Sequence, residues 1–141
     1  MGILADFFVC SAADALLYET FLQEGPLPAE RFRRVESGGI TSLELEMLWA
    51  IAAGEEWEPG PFELEDLGEP GDAWLCRFPE PFVALLAEAT EEQVRALAVG
   101  WAATEEIASS PEQIAPLVRD LSALARHGRE SGRGLYLWGS L

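Results

Sequence analysis

Four times along the chain a hydroxyl side chain is followed three residues later by an acid or a glutamine: Ser11 with Asp14, Thr41 with Glu44, Thr90 with Gln93, and Ser110 with Gln113. Such a pair can close a capping box, in which the hydroxyl accepts from a first-turn N–H and the longer side chain reaches back to the N–H of the cap. Each pair therefore predicts a helix start. Pro111 strengthens the last one, because at the first helical position its missing N–H costs nothing. Beyond Ser110, residues Ile114, Leu117, Val118, Leu121, Leu124 and Ala125 recur at spacings of three and four, one apolar stripe that faces a core. Gly128 reads as its stop. Beyond Thr90, Val94, Leu97, Ala98, Trp101 and Ala108 trace a second stripe, and the two helices are expected to pack as a hairpin across the Ala108 to Ser109 link. The helix after Thr41 sets Leu45, Leu48, Trp49 and Ala52 on one side and ends at Gly54. A shorter helix is expected over residues 80 to 89, opened by Pro79 and Pro81 and burying Phe82, Leu85 and Leu86.

Between these helices lie strand-like runs. Residues 3 to 9 (ILADFFV) read as a buried first strand and residues 31 to 36 (RFRRVE) as a more exposed one. The runs FELEDL and AWLCRF flank the turn-forming stretch GEPGD from Gly68 to Asp72, the pattern of a hairpin. Leu135 to Trp138 closes the series as a last strand, introduced by the glycine-rich ESGRG. The predicted class is α+β: a small, mostly antiparallel sheet of four to five strands packed against four to five helices that cover one face. At 141 residues the chain is expected to form a single domain, 1–141, around one core. Residues 54 to 71, with three prolines and many acids, read as a partly flexible acidic insertion.

Charge is distributed unevenly. Between Glu44 and Glu92 stand fourteen acids and a single base, Arg77, so that segment carries −13 of the net −16. A concentrated acidic surface repels phosphate backbones and anionic lipid while steering cationic partners inward, the more so at low salt. Nucleic acid is therefore excluded as a partner, since affinity there comes largely from neutralising phosphates, and a membrane is not expected. All nine basic residues are arginine, a bias that a GC-rich genome explains and that also suits bidentate carboxylate pairing. Cys10 and Cys76 each lie in an apolar run and read as small buried hydrophobes. With no Cys-x-x-Cys and one histidine, a structural zinc site lacks ligands. The opening MGILADFF has no basic stretch ahead of an apolar one, and no apolar run approaches the length of a membrane span, so a cytoplasmic location is the expectation.

Each candidate for chemistry has a plainer reading beside it. His127, the one imidazole, falls near the end of the last helix, where a histidine complements the helix dipole. No strand-turn-helix elbow supplies it with a nucleophile. Carboxylate pairs such as Glu55/Glu56 and Glu105/Glu106 are what a solvated face of so acidic a chain contains by chance, although two held across a cleft would suit glycoside hydrolysis. Glu63, Glu65, Asp66, Glu69 and Asp72 place five oxygen ligands in ten residues, but without the spacing of a calcium loop. The glycines after Ser37 sit just ahead of the Thr41 helix start but lack a Walker register. No catalytic residue, metal ligand set or cofactor is assigned. Of five tryptophans, Trp49, Trp74, Trp101 and Trp138 fit core positions. Trp57, in EEWEPGP, reads either as an aromatic anchor ringed by carboxylates or as a side chain tucked back on its own domain.

The order of a short opening strand, a Trp-containing helix ending in glycine (LEMLWAIAAG), an acidic middle, and a long helix running through glycine into an apolar strand (ALARHGRESGRGLYLWGSL) resembles the YfbM-like family of small bacterial proteins. That resemblance implies a bacterial, cytoplasmic α+β protein with no functional residue to carry over. The residues themselves point to a non-enzymatic, acidic protein-binding module that docks a basic partner, in the manner of an immunity-type inhibitor or a charge mimic. Its expected contact residues are Glu55, Glu56, Trp57, Glu58, Glu63, Glu65, Asp66, Glu69 and Asp72. The alternative is a small enzyme or small-ligand-binding domain that uses a pocket between sheet and helices, with Glu105, Glu106 or His127 as polar groups. A third reading is a homodimer built by edge pairing of the terminal LYLWGSL.

Overall fold

A computed structural model of the chain describes residues 3–58, 60–68, 71–107 and 109–141. The chain runs β1 (Leu4–Cys10), α1 (Ala12–Ala15), α2 (Tyr18–Glu24), β2 (Arg33–Gly38), α3 (Ser42–Ala53), β3 (Glu65–Asp66), β4 (Ala73–Arg77), α4 (Glu80–Glu88), α5 (Glu91–Ala102), α6 (Pro111–Ser131) and β5 (Gly134–Ser140). The five strands form one sheet in the order β2-β1-β5-β4-β3, antiparallel at every junction. The α+β class holds.

The first strand explains the layering. Six consecutive residues from Ala5 to Cys10 are buried, and successive side chains on a strand point to opposite faces. Both faces must therefore be covered. Ala5, Phe7 and Val9 join Leu135, Leu137 and Cys76 beneath α3 to α6, in the main core. Phe8 and Cys10 turn the other way and pack with Leu75, Tyr136, Phe32 and the Tyr18 and Ala15 side chains of the short helices. The expectation of helices on one face is thus corrected: α1 and α2 cover the second. The two cysteines lie in different cores on opposite faces of the sheet, both as free thiols.

The capping boxes act as local physics requires. At Thr90 and Ser110 both reciprocal bonds form, at Thr41 the Glu44 carboxylate accepts from both the backbone N–H and the hydroxyl of the cap, and α3, α5 and α6 begin there. At Ser11 only half forms: its hydroxyl accepts from the Asp14 N–H at 3.2 Å, while the Asp14 carboxylate turns to Arg31. α1 stops after one turn and the chain restarts as α2 without a side-chain cap. The Trp101 indole N–H donates to the Glu44 carbonyl at 2.8 Å, which ties α5 to α3. The α5–α6 pair packs closely, although Ala108, in its link, lies outside the described residues.

Gly128 does not stop α6. It faces inward, where a Cβ would stand 3.0 Å from the Arg133 carbonyl and 3.5 Å from Val9, so glycine is needed for close approach of helix to strand. The stop is Gly132, left-handed at φ +69°, with the N–H of Arg133 returning to the Gly128 carbonyl and that of Gly132 to Arg129, a Schellman motif. Among the described residues no helix is long and apolar enough to cross a membrane.

Candidate acidic interface

Between α3 and β3 the chain returns alongside α3 as a strap. Gly54, left-handed at φ +72°, ends α3 and reverses the path, and the Glu55 N–H bonds back to the Ala50 carbonyl. Apolar side chains fasten the strap: Phe62 and Leu64 are buried in the main core, with Phe62 edge-on to Trp49 at 5.3 Å, and Trp57 packs half-buried against the same core. The Leu64 N–H donates to the Glu46 carboxylate of α3 at 3.4 Å. The described part of the strap from Gly54 to Leu64 is therefore fastened to α3 and the main core by these side chains.

Anchoring its apolar side chains turns the acids outward. Glu55, Glu56, Glu58 and Glu63 are exposed on the strap, Glu65 and Asp66 are exposed on the edge strand β3, and Asp72 is exposed at the β3–β4 turn. Glu69 lies outside the described residues, as do Pro59 and Pro70. Trp57 sits on the inner side of the strap, and its indole N–H is buried without a hydrogen-bond partner among the described residues.

Guanidinium groups are spent elsewhere. Arg31 pairs with Asp14, Arg34 with Asp6 and Glu36, Arg119 and Arg95 with Glu91, and Arg129 with Glu88. The Arg31 hydrogen bond holds the Asp14 carboxyl below its ordinary range, and Arg119 does the same for Glu91. Among the described residues none of the seven exposed carboxylates from Glu55 to Asp72 has such a partner. Glu46, beneath the strap, shows the opposite perturbation. Burial pushes its carboxyl up, the Leu64 N–H opposes that, and neighbouring Glu63 adds to the rise.

Other candidates disperse. His127 is half-buried on α6 with Nδ1 3.5 Å from an Arg33 guanidinium nitrogen, so its neighbour is a cation, where a general base needs an acid to orient it. Glu105 and Glu106 stand exposed in the turn after α5. The Gly39 N–H ahead of α3 is already given to the Ile3 carbonyl at 3.0 Å. Among the described residues no three His, Cys, Asp or Glu side chains gather as a metal ligand set.

Sequence reasoning missed two features that only the sheet assembles. One is a cleft of about 520 Å³ on the second face, lined by Ala15, Leu16, Leu67, Leu75 and Trp138 with Glu19 and Asp72. Beside it lies the Asp6–Tyr18–Arg34 network, with the Tyr18 hydroxyl donating to Asp6 at 2.7 Å in a buried bond and accepting from the more exposed Arg34 at 3.4 Å. The other is an end of the molecule rich in arginine, where β1, β4 and β5 meet the last turn of α6. Strand pairing across long sequence separations carries no local signal, so neither was legible in the chain.

No family model, curated protein or solved structure matches the chain.

Proposed function

We propose that the protein is a non-enzymatic binding module whose acidic strap and β3 edge dock a basic protein, in the manner of an immunity-type inhibitor or a charge mimic. The observation that carries this reading is the seven outward carboxylates from Glu55 to Asp72, unpaired among the described residues on a segment held by Phe62, Leu64 and Trp57. A rigid array of like charge raises the local concentration of a cationic partner and its association rate by roughly 10 to 1,000-fold. Burying the strap's apolar side chains means that such a surface need not be ordered on binding, which lowers the entropic cost of association.

The test is association with a folded basic protein and with a synthetic arginine-rich peptide, followed by surface plasmon resonance at low and high salt. The variant combining Glu55→Gln, Glu56→Gln, Glu58→Gln, Glu63→Gln and Glu65→Gln is expected to associate about tenfold more slowly or worse, with most of its salt dependence gone. Unchanged rates in that variant would sink the proposal.

A second reading, a small-ligand-binding domain, is favoured by the cleft on the second sheet face, whose 520 Å³ falls in the range of ligand pockets, about 300 to 1,000 Å³. Trp138 and Leu75 supply its apolar wall and Glu19 and Asp72 its charge. A thermal-shift screen that finds no stabilising small molecule counts against it.

A further inference from the structure

The charge opposite to the acidic strap collects where the sheet meets the last turn of α6. Arg77 ends β4, and in the antiparallel register its direct neighbour on β5 is Tyr136. Arg133 leads into β5, and Arg129 lies on the final turns of α6. The three guanidinium side chains and Tyr136 line one pocket of about 250 Å³, whose remaining wall includes the bare backbone of Gly132 and Gly134. Gly134 is required there: a Cβ at that position would stand 2.7 Å from the Tyr136 hydroxyl. Tyr136 as a residue is 1% exposed, but its hydroxyl is not one of the buried polar atoms left without a partner among the described residues, so the oxygen keeps access where the residue lines the pocket.

Donors dominate this pocket. Burial raises the Tyr136 hydroxyl above its ordinary range, against the lowering influence of Arg77, so it stays protonated at neutral pH and can donate. Arg77 makes no ion pair among the described residues, and Arg133 gives one N–H to the Glu30 carbonyl at 3.2 Å. Arg129 is shared with Glu88 at 3.4 Å. Glu80 is the one carboxylate in the lining, exposed at the rim, and Glu65 stands opposite Arg77 on β3. Several forked cations lining one pocket together with a neutral O–H match an oxyanion with more than two acceptor atoms and more than one charge. The volume suits such a group rather than a whole drug-sized ligand.

We propose that this pocket binds a phosphate monoester group, held by Arg77 and Arg133 with the Tyr136 hydroxyl as the neutral donor. The site is separate from the acidic strap and does not depend on the function assigned to it. Free phosphate and a phosphorylated side chain present the same group, so both serve as probes, with acetate as the monoanionic comparison.

The experiment is a titration of the whole protein at low salt with inorganic phosphate, a phosphoserine peptide or acetate, followed by backbone amide shifts. Saturable shifts at Arg77, Gly134 and Tyr136 are expected with phosphate up to about 10 mM, the concentration that a millimolar dissociation constant requires. Tighter binding of the peptide identifies a chain-borne group, and tighter binding of inorganic phosphate a free one. Arg77→Ala with Arg133→Ala should weaken binding about tenfold or more, and Tyr136→Phe, which keeps the ring in the core, by several-fold. Glu80→Gln should tighten it, because the opposing rim charge is gone. Absent shifts, shifts of equal size with acetate, or full affinity in a folded Tyr136→Phe or Arg77→Ala variant would each overturn the proposal.

Discussion

Tyr18 shows how a polar group is kept inside this protein. Its ring stacks on Phe8 at 3.9 Å, and its hydroxyl, buried beneath α2, donates to Asp6. Replacing Tyr18 with Phe keeps the stacking and leaves a carboxylate short of a donor, so about 1.5 to 3 kcal/mol of stability should be lost in urea unfolding. Burial, together with that bond, raises the hydroxyl far above its ordinary value of 10.0. The folded state thus holds a proton that the unfolded chain gives up above pH 10, so this contribution is full below that pH and declines as pH rises beyond it. The stability gap between wild type and Tyr18→Phe should shrink in the same window. Cys10 and Cys76 behave in parallel: burial pushes their thiols to about 12 and about 11. Since the thiolate is the nucleophile, neither should react with a thiol reagent in the native protein at pH 8, whereas both should react on unfolding. Prompt native labelling would show that one of the two cores is open.

Among the elements, α6 separates what the chain states locally from what it does not. Its start was readable because Ser110, Pro111 and Gln113 act within one turn, and the same holds at Thr41 and Thr90. Its end was misplaced because a helical glycine looks alike whether it stops a helix or lets another segment approach. Only the fold brings Arg133 and Val9 against Gly128. For the same reason α2 was missed: its start at Leu17 carries no cap, and it exists because Tyr18 has a sheet face to cover. The acids of the strap were visible in the sequence, but the inward seat of Trp57 depends on where α3 lies. Gly128→Ala decides the matter at α6. Alanine gains roughly 1 kcal/mol of helix propensity over glycine, yet its methyl meets a backbone carbonyl at 3.0 Å. Overpacking costs typically 1 to 3 kcal/mol, so the variant should be destabilised on balance. A rise in Tm would mean that the helix end relaxes freely away from β1.

Over the whole molecule, charge sets stability against recognition. A net charge of −16 on one domain makes the compact state repel itself, and the strap concentrates that repulsion in carboxylates without counter-ions among the described residues. Added salt screens exposed charges over a Debye length of about 10 Å at 0.1 M, so stability of the free protein should rise with salt while association with a basic partner falls. Glu46 adds a local version of this conflict. Its carboxyl is raised, so its contribution is largest below the ordinary carboxylate range and is lost as pH climbs through the folded value. Glu46→Gln retains an acceptor for the Leu64 N–H and should leave the protein at least as stable at neutral pH, with a flatter profile between acid and neutral. The five-fold glutamine variant of the strap carries the same reasoning to the surface. If those acids serve recognition rather than architecture, removing five like charges should raise the low-salt urea midpoint of the free protein, even as it slows docking. Stability held for binding at the expense of folding is common at functional sites. A lower midpoint in that variant would instead show the carboxylates holding the strap in place, and the surface would lose its claim to a partner.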